Sequence, residues 1–204
     1  MITYLAKLIL RCIGWKLPTN ELKDKFRCQL RGITLFSHTT YCDFFLLMLY
    51  GLTEPEYFKH IYTIMHPGPF KRWGWLLKRN RFIQSTRAED SGCGFVNTVI
   101  EQLNPKETLV LLISPEGKLT AVPWRSGYFY IAKGLNCPIR TAGFDYEKKE
   151  LIINDYHFID DSVTLNEIQA LLQHDMGKIV PLYVEGSYVK IREHNPLNVS
   201  IIRW

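Results

Sequence analysis

The apolar run at residues 109–114, with the sequence LVLLIS, constrains the fold of this chain more than any other feature. A strand with one solvated face alternates apolar and polar side chains. A strand of a parallel sheet is instead covered by helices on both faces and is apolar throughout. The run is typical of the second kind, and it predicts a sheet packed between two layers of helices.

Strand and helix patterns alternate along the rest of the chain. Further strands are predicted at residues 32–36, 81–85, 138–144, 151–154 and 156–159. Helices are predicted at residues 44–50, 94–103, 125–134 and 161–173. Gly51 would end the first of these helices, and Thr164 with Glu167 has the spacing of a capping box for the last. The alternation predicts an α/β fold with a mainly parallel central sheet flanked by helices.

The composition indicates one globular domain. Hydrophobic residues make up 47% of the 204 positions and charged residues 22%, so the chain can bury a substantial core. The five cysteines are scattered singly, which is typical of reduced thiols in a cytosolic setting. The net charge of +5 comes without a nucleic-acid-binding signature, and His60 and His66 are not spaced as metal ligands. We therefore expect neither nucleic acid nor a metal ion as a partner.

Residues 1–16 have the pattern of a short amphipathic helix, followed by a single α/β domain at residues 17–204. The apolar side chains fall on one broad helical face: Ile2, Leu5, Leu8, Ile9, Cys12 and Ile13. Lys7 and Arg11 lie opposite. The segment is too short to span a bilayer, which takes about 20 apolar residues, and it lacks the cleavage site of a signal peptide. It is either a peripheral membrane anchor, on the cytoplasmic face, or a first helix packed on its own domain.

His38 and Asp43 follow the predicted strand at residues 32–36, with four residues between them. If a helix starts near Thr40, His38 lies in the preceding turn and Asp43 in the first helical turn. A carboxylate there can bind one imidazole nitrogen, which leaves the other nitrogen to take a proton from an alcohol. Thr40 and Asp43 also have the spacing of a capping box, which would occupy the carboxylate with backbone N–H groups. The spacing alone is compatible with both roles.

The segment SPEGK at residues 114–118 directly follows the apolar strand. Active-site groups of parallel sheets gather where strands end, so Glu116 and Lys118 are placed to line a polar pocket. A solvated turn explains the segment equally well. A phosphate-binding loop is excluded, because Leu112 stands where that loop needs its first glycine.

A basic stretch interleaved with Trp73 and Trp75 is the third candidate. Its members are Lys71, Arg72, Lys78, Arg79, Arg81 and Arg87. Such a run is usually a solvated face, although Arg and Lys also bind phosphate groups. No G-x-S-x-G sequence is present, so the sequence gives a serine hydrolase no support.

Taken in order, these segments resemble the glycerol-phosphate and lysophosphatidate acyltransferase family. Residues 38–45, HTTYCDFF, are similar to its first block, H-x4-D. Residues 81–87, RFIQSTR, resemble its second block, a strand ending in an arginine, and residues 115–117, PEG, match the start of its third block. Residues 124–132 resemble the helix that follows the third block in one bacterial branch, and residues 137–139 fit the fourth block. The ordered set is more specific than any one motif.

The resemblance, which spans residues 5–146, implies an O-acyltransferase of lipid metabolism. It implies that His38 is the general base on an acceptor hydroxyl and that Asp43 orients it. The donor would be an acyl thioester, either acyl-CoA or acyl carrier protein, and the acceptor a lysophospholipid or related lipid. No metal or bound cofactor is implied. Substrate-binding roles would fall on the remaining motif residues: Arg87, Glu116, Gly117, Lys118 and Arg125.

The sequence departs from the family pattern on the acceptor side. Lys118 and Leu119 stand where the family has Thr-Arg, and Thr86 stands where it has Asp before the second-block arginine. The His38 and Asp43 pair is unchanged. These departures leave two alternatives beside the acyltransferase. One is a lipid-binding descendant with the same fold and no turnover, and the other is a thioesterase or hydrolase in which water replaces the acceptor.

Overall fold

The computed structural model of the chain describes residues 2–27, 30–36, 40–65, 67–68, 71, 74–75, 81–85, 93–116 and 123–180. Within these ranges the strands are β1 (Arg31–Phe36), β2 (Ile61–Met65), β3 (Phe82–Gln84), β4 (Leu109–Ile113), β5 (Ile139–Asp145) and β6 (Glu150–Ile153). The helices are α1 (Ile2–Cys12), α2 (Asn20–Arg27), α3 (Tyr41–Thr53), α4 (Pro55–Phe58), α5 (Cys93–Leu103), α6 (Gly127–Leu135) and α7 (Leu165–Met176).

The strands form one six-stranded sheet in the order β3-β2-β4-β1-β5-β6. All neighbouring strands are parallel except β5 and β6, which form an antiparallel pair at one edge. The apolar run that opened the sequence analysis is β4, and its first four residues are buried. The predicted α/β fold with a mainly parallel sheet is therefore confirmed.

Helices cover both faces of the sheet. On one face, Ile33, Leu35 and Leu111 pack with side chains of α5, α6 and α7. On the other face, Phe36 and Val110 pack with side chains of α1 and α3. Successive residues of a strand point to opposite faces, so a strand in this position needs apolar side chains at every residue. This double coverage explains the unbroken apolar pattern of β4.

From the neighbouring central strands β1 and β4 the chain continues to opposite faces of the sheet. After β1 it enters α3, which packs in the same cluster as α1. After β4 it enters α6, which packs in the cluster on the other face. Where two neighbouring connections part in this way, the carboxyl ends of the strands border a crevice. The start of α3 and residues 114–116 therefore lie at the same end of the sheet, where the parallel strands β1 and β4 have their carboxyl ends.

Three local predictions were wrong. The helix predicted at residues 44–50 does not end at Gly51; it is part of α3, which continues to Thr53. A Cβ atom on Gly51 would lie 2.3 Å from a ring carbon of Phe58, so the packing of this ring requires glycine there. The predicted strand at residues 156–159 forms only an isolated bridge between His157 and Ile139. The last helix starts at Leu165, directly after its Thr164 cap, rather than at residue 161. The elements β2, α2 and α4 lacked a sequence prediction.

The helix α1 packs on α3 with one face and exposes another. Ala6 and Leu10 are buried against the domain. Leu5, Leu8 and Cys12, spaced at i, i+3 and i+7, are exposed and form a stripe along the other side. Among the helices of the described ranges, none is long and apolar enough to cross a membrane.

A cluster around Asp175 ties α7 to the sheet. His157 Nε2 lies 2.8 Å from Asp175 Oδ2, and Lys178 Nζ donates to Asp175 Oδ1 at 2.8 Å. Burial raises the pKa of Asp175, but the hydrogen bonds and charges of Lys178 and His157 outweigh it, so the pKa lies below its usual value. A carboxyl with a lowered pKa in the folded state stabilises the fold above its unfolded pKa. This contribution is lost as the pH falls through the folded pKa.

Replacing Asp175 with Asn removes the charge and is expected to lower the free energy of unfolding by about 1.5–3 kcal/mol at pH 7, the usual range for hydrogen bonds to a charged group. The difference from the original protein should persist above about pH 5 and shrink as the pH falls below about 4. Urea unfolding at pH 7 and pH 3 measures it. Asp155→Asn is the matched control, because Asp155 is 85% exposed and its ion pair with Lys25 contributes little. An equal loss of stability at both pH values would contradict the prediction.

Candidate active site

The structure describes some of the predicted site residues and not others. Asp43, Glu116 and Arg125 lie in the described ranges. The other predicted site residues lie outside them: His38, Arg87, Gly117 and Lys118. Asp43 belongs to the segment that follows β1, and Glu116 to the segment that follows β4. Strands β1 and β4 pair in parallel, with Leu35 aligned to Ile113. Both carboxylates therefore lie at the end of the sheet where the parallel strands have their carboxyl ends.

Asp43 caps the helix that carries it. Thr40 is the N-cap of α3, and its backbone N–H donates to Asp43 Oδ2 at 2.9 Å. The Thr40 hydroxyl accepts from the backbone N–H of Cys42 at 3.3 Å. Thr40 and Asp43 are both buried, with Asp43 only 2% exposed. The capping box that the spacing allowed is therefore present, and α3 begins directly after Thr40, three residues before the helix predicted at residues 44–50.

A tyrosine from a distant part of the chain binds the same carboxylate. Tyr146 directly follows β5, and its hydroxyl donates to Asp43 Oδ1 at 2.5 Å. Each oxygen of Asp43 thus accepts at least one hydrogen bond. An ionised carboxylate has about four acceptor positions, so these two bonds do not exhaust it. Capping the helix and orienting an imidazole are compatible roles for one carboxylate.

Tyr146 was not identified from the sequence. The available signal was its place two residues beyond the predicted strand at residues 138–144, at the same end of the sheet as Asp43. Side chains that follow parallel strands converge at that edge. The strand pattern therefore marked Tyr146 as a neighbour of the candidate site, although it did not mark Asp43 as the residue it binds.

Glu116 is buried rather than solvated. It is 4% exposed, and each of its carboxylate oxygens accepts a hydrogen bond. Ser114 Oγ donates to Oε2 at 3.1 Å, and Trp124 Nε1 donates to Oε1 at 3.2 Å. The interpretation of this segment as a solvated turn is therefore wrong for Glu116. A buried carboxylate requires such donors, and they hold its orientation.

The segment between β4 and α6 is closed by a backbone hydrogen bond. The N–H of Arg125 donates to the carbonyl oxygen of Pro115 at 3.0 Å, beside the bond from Trp124 to Glu116. Pro115 and Arg125 flank residues 117–122, which the structure does not describe. Arg125 is half-buried and directly follows Trp124, so its backbone has a fixed position relative to Glu116. The structure thus brings two of the predicted substrate-binding residues together.

Within the part of the chain that the structure describes, no three His, Cys, Asp or Glu side chains converge as metal ligands. The described groups at this end of the sheet are a buried carboxylate at a helix N-terminus, a phenol bound to it, and a second buried carboxylate after the neighbouring strand.

Comparison with known proteins identifies the family. The family model described as Acyltransferase matches residues 19–145. This range includes β1 to β5 and every predicted site residue from His38 to Arg125. None of the proteins of curated function that were compared with the chain matches it. Because the match covers more than half of the sequence, the chain belongs to the acyltransferase family.

Proposed function

We propose that the protein transfers a fatty acyl group from an acyl thioester to a hydroxyl of a lysophospholipid-type acceptor. The donor is acyl-CoA or acyl carrier protein. The observation that carries the proposal is Asp43, which is buried at the N-terminus of α3 with a hydrogen bond to each oxygen, five positions after His38. The membership of residues 19–145 in the acyltransferase family supports the same chemistry.

In the proposed mechanism, His38 takes the proton of the acceptor hydroxyl as the oxygen attacks the thioester carbonyl. Asp43 holds the imidazole and stabilises the cation that forms. The tetrahedral intermediate then collapses, the C–S bond breaks, and the imidazolium gives its proton to the leaving thiolate. The products are the ester and a free thiol. His38 ends neutral, so the cycle needs no oxidant, reductant or metal.

We assign binding of the acceptor phosphate to the segment that follows β4 and to the second block of the family pattern, residues 81–87. Glu116 is fixed by Ser114 and Trp124, which supports a role for this segment in positioning the acceptor. Lys118 stands where the family has threonine, with Leu119 in place of its arginine. A lysine provides a point charge instead of a bidentate fork, so Arg87 and Arg125 would supply the directional phosphate contacts.

We also propose that the protein binds a membrane surface through residues 1–16, as a peripheral protein of the cytoplasmic face. The exposed side chains of Leu5 and Leu8 support this assignment, because they lie on the side of α1 that does not pack on α3. Arg11 on the same helix is exposed and suits anionic lipid headgroups. Residues 17–204 would then form the catalytic domain that this helix places next to its lipid acceptor.

Replacing His38 with Ala should lower acyl transfer roughly 10²–10⁴-fold, the usual contribution of a general base, and leave the fold intact. The measurement uses labelled acyl-CoA and acyl carrier protein with a panel of lysophospholipids and mass-spectrometric detection of the acylated product. His174→Ala is the matched control, because His174 is exposed on α7, away from the site. Near-normal transfer by a folded His38→Ala protein would overturn the mechanism.

The same assay separates the two alternatives to the acyltransferase, which follow from the altered third block with Lys118 and Leu119. Release of free fatty acid without an acylated lipid would identify a thioesterase or hydrolase. Lysophospholipid binding without turnover of either thioester would identify a lipid-binding descendant. An acylated lipid that disappears in the His38→Ala protein supports the acyltransferase.

Replacing both Leu5 and Leu8 with Gln should weaken binding to anionic phospholipid vesicles at least about 10-fold. Each leucine that enters the apolar boundary contributes about 1.5–3 kcal/mol at full burial. Vesicle sedimentation measures the effect. Leu171→Gln is the matched control, because Leu171 is 51% exposed on α7, compared with 56% for Leu5 and 57% for Leu8. Unchanged sedimentation of the double variant would refute the anchor.

A further inference from the structure

Tyr146 is fixed from three directions. Its backbone N–H donates to the carbonyl oxygen of Val180 at 2.8 Å. Its ring meets the ring of Trp15 edge to face, with the ring centroids 5.1 Å apart. Its hydroxyl donates to Asp43 Oδ1 at 2.5 Å. The phenol therefore has a defined position before any substrate binds.

Trp15 is itself held in the core. It is buried, its backbone N–H donates to the carbonyl oxygen of Leu10 at 2.8 Å, and its ring packs edge to face on Phe144 at 5.4 Å. Trp15 thus joins the end of α1 to β5. The hydroxyl of Tyr146 consequently occupies a fixed point relative to both elements.

Asp43 needs this second contact for its orientation. The capping bond from Thr40 reaches only Oδ2, and the torsion about the Cβ–Cγ bond of an aspartate is broad and roughly two-fold. One bond therefore leaves the plane of the carboxylate loosely defined. The bond from Tyr146 reaches Oδ1 from the end of the neighbouring strand β5, and two bonds to different oxygens fix the plane. Catalytic groups depend on such supporting hydrogen bonds for their geometry.

We propose that Tyr146 is a positioning residue for acyl transfer, whose hydroxyl holds the Asp43 carboxylate in the plane from which it orients His38. The assignment rests on the proposed function of the His38 and Asp43 pair. It gives Tyr146 a role in the rate of the chemical step and none in binding either substrate.

Replacing Tyr146 with Phe keeps the ring against Trp15 and removes only the hydroxyl. We expect kcat to fall roughly 10- to 100-fold, as for the loss of a hydrogen bond to a charged group. The KM for the acyl thioester should change less than about 2-fold, because losing an interaction that acts only in the chemical step lowers kcat and kcat/KM equally. Steady-state kinetics with saturating lysophospholipid measures both constants.

Tyr50→Phe is the matched control. The hydroxyl of Tyr50 also donates at 2.5 Å, and its ring packs on Phe144, but its acceptor is the backbone carbonyl of Lys16. Both variants lose one phenolic hydrogen bond at the same core, so a loss of kcat that came from weakened packing would occur in both. We expect kcat to fall only in Tyr146→Phe.

A double-mutant cycle with Asp43→Asn tests the route of the effect. If Tyr146 acts through Asp43, adding Tyr146→Phe to Asp43→Asn causes no further loss of kcat. Losses that multiply would show that Tyr146 acts independently of Asp43 and would overturn the assignment. An active original protein with an unchanged Tyr146→Phe variant overturns it as well and leaves the acyltransferase proposal standing. An original protein that is inactive with every donor and acceptor defeats that proposal and, with it, this one.

Discussion

The parallel pairing of β1 with β4 on one side and with β5 on the other determines where the functional segments meet. Leu35 aligns with Ile113 and with Thr141, so the three strands end at the same edge of the sheet. Asp43, Glu116 and Tyr146 each follow one of these strands. A shift of the register would separate the three side chains, and it is opposed by the apolar residues that both faces of β1 bury. The geometry of the site is thus a consequence of strand packing.

Asp43 forms the helix cap that the sequence presented as an alternative to a catalytic role, and the cap leaves the proposed catalytic role open to the same carboxylate. It completes the capping box of α3, and it lies five positions after His38 in a family of acyltransferases. The cap stabilises the first turn of the helix, and that same bond anchors one oxygen of the carboxylate. A contact that stabilises the helix thereby also restrains the carboxylate to which we assign the orientation of His38. The second anchor comes from Tyr146, so the site depends on tertiary structure as well as on the local motif.

Local patterns in the sequence predicted the mainly parallel sheet and the Thr164 cap and allowed the cap at Thr40, because periodicity and capping act over a few residues. The bond from Tyr146 to Asp43 joins positions 103 residues apart, and no local pattern encodes it. Gly51 was interpreted as a helix end because glycine is common there, whereas its lack of a Cβ serves the contact with Phe58. Both the bond of Tyr146 to Asp43 and the place of Gly51 inside a helix depend on tertiary contacts, which local sequence patterns do not contain.

The two edges of the sheet have a consequence for association between copies of the chain. Among the residues that the structure describes, the edge strands are β3 and β6, and both are short, with 3 and 4 residues. Short edges present few backbone groups to a second chain. Lys25 Nζ donates to the carbonyl oxygen of Ile153 in β6, which puts a charged side chain on that edge. Where copies of the chain meet, edges of this kind disfavour the strand-to-strand pairing through which sheets aggregate.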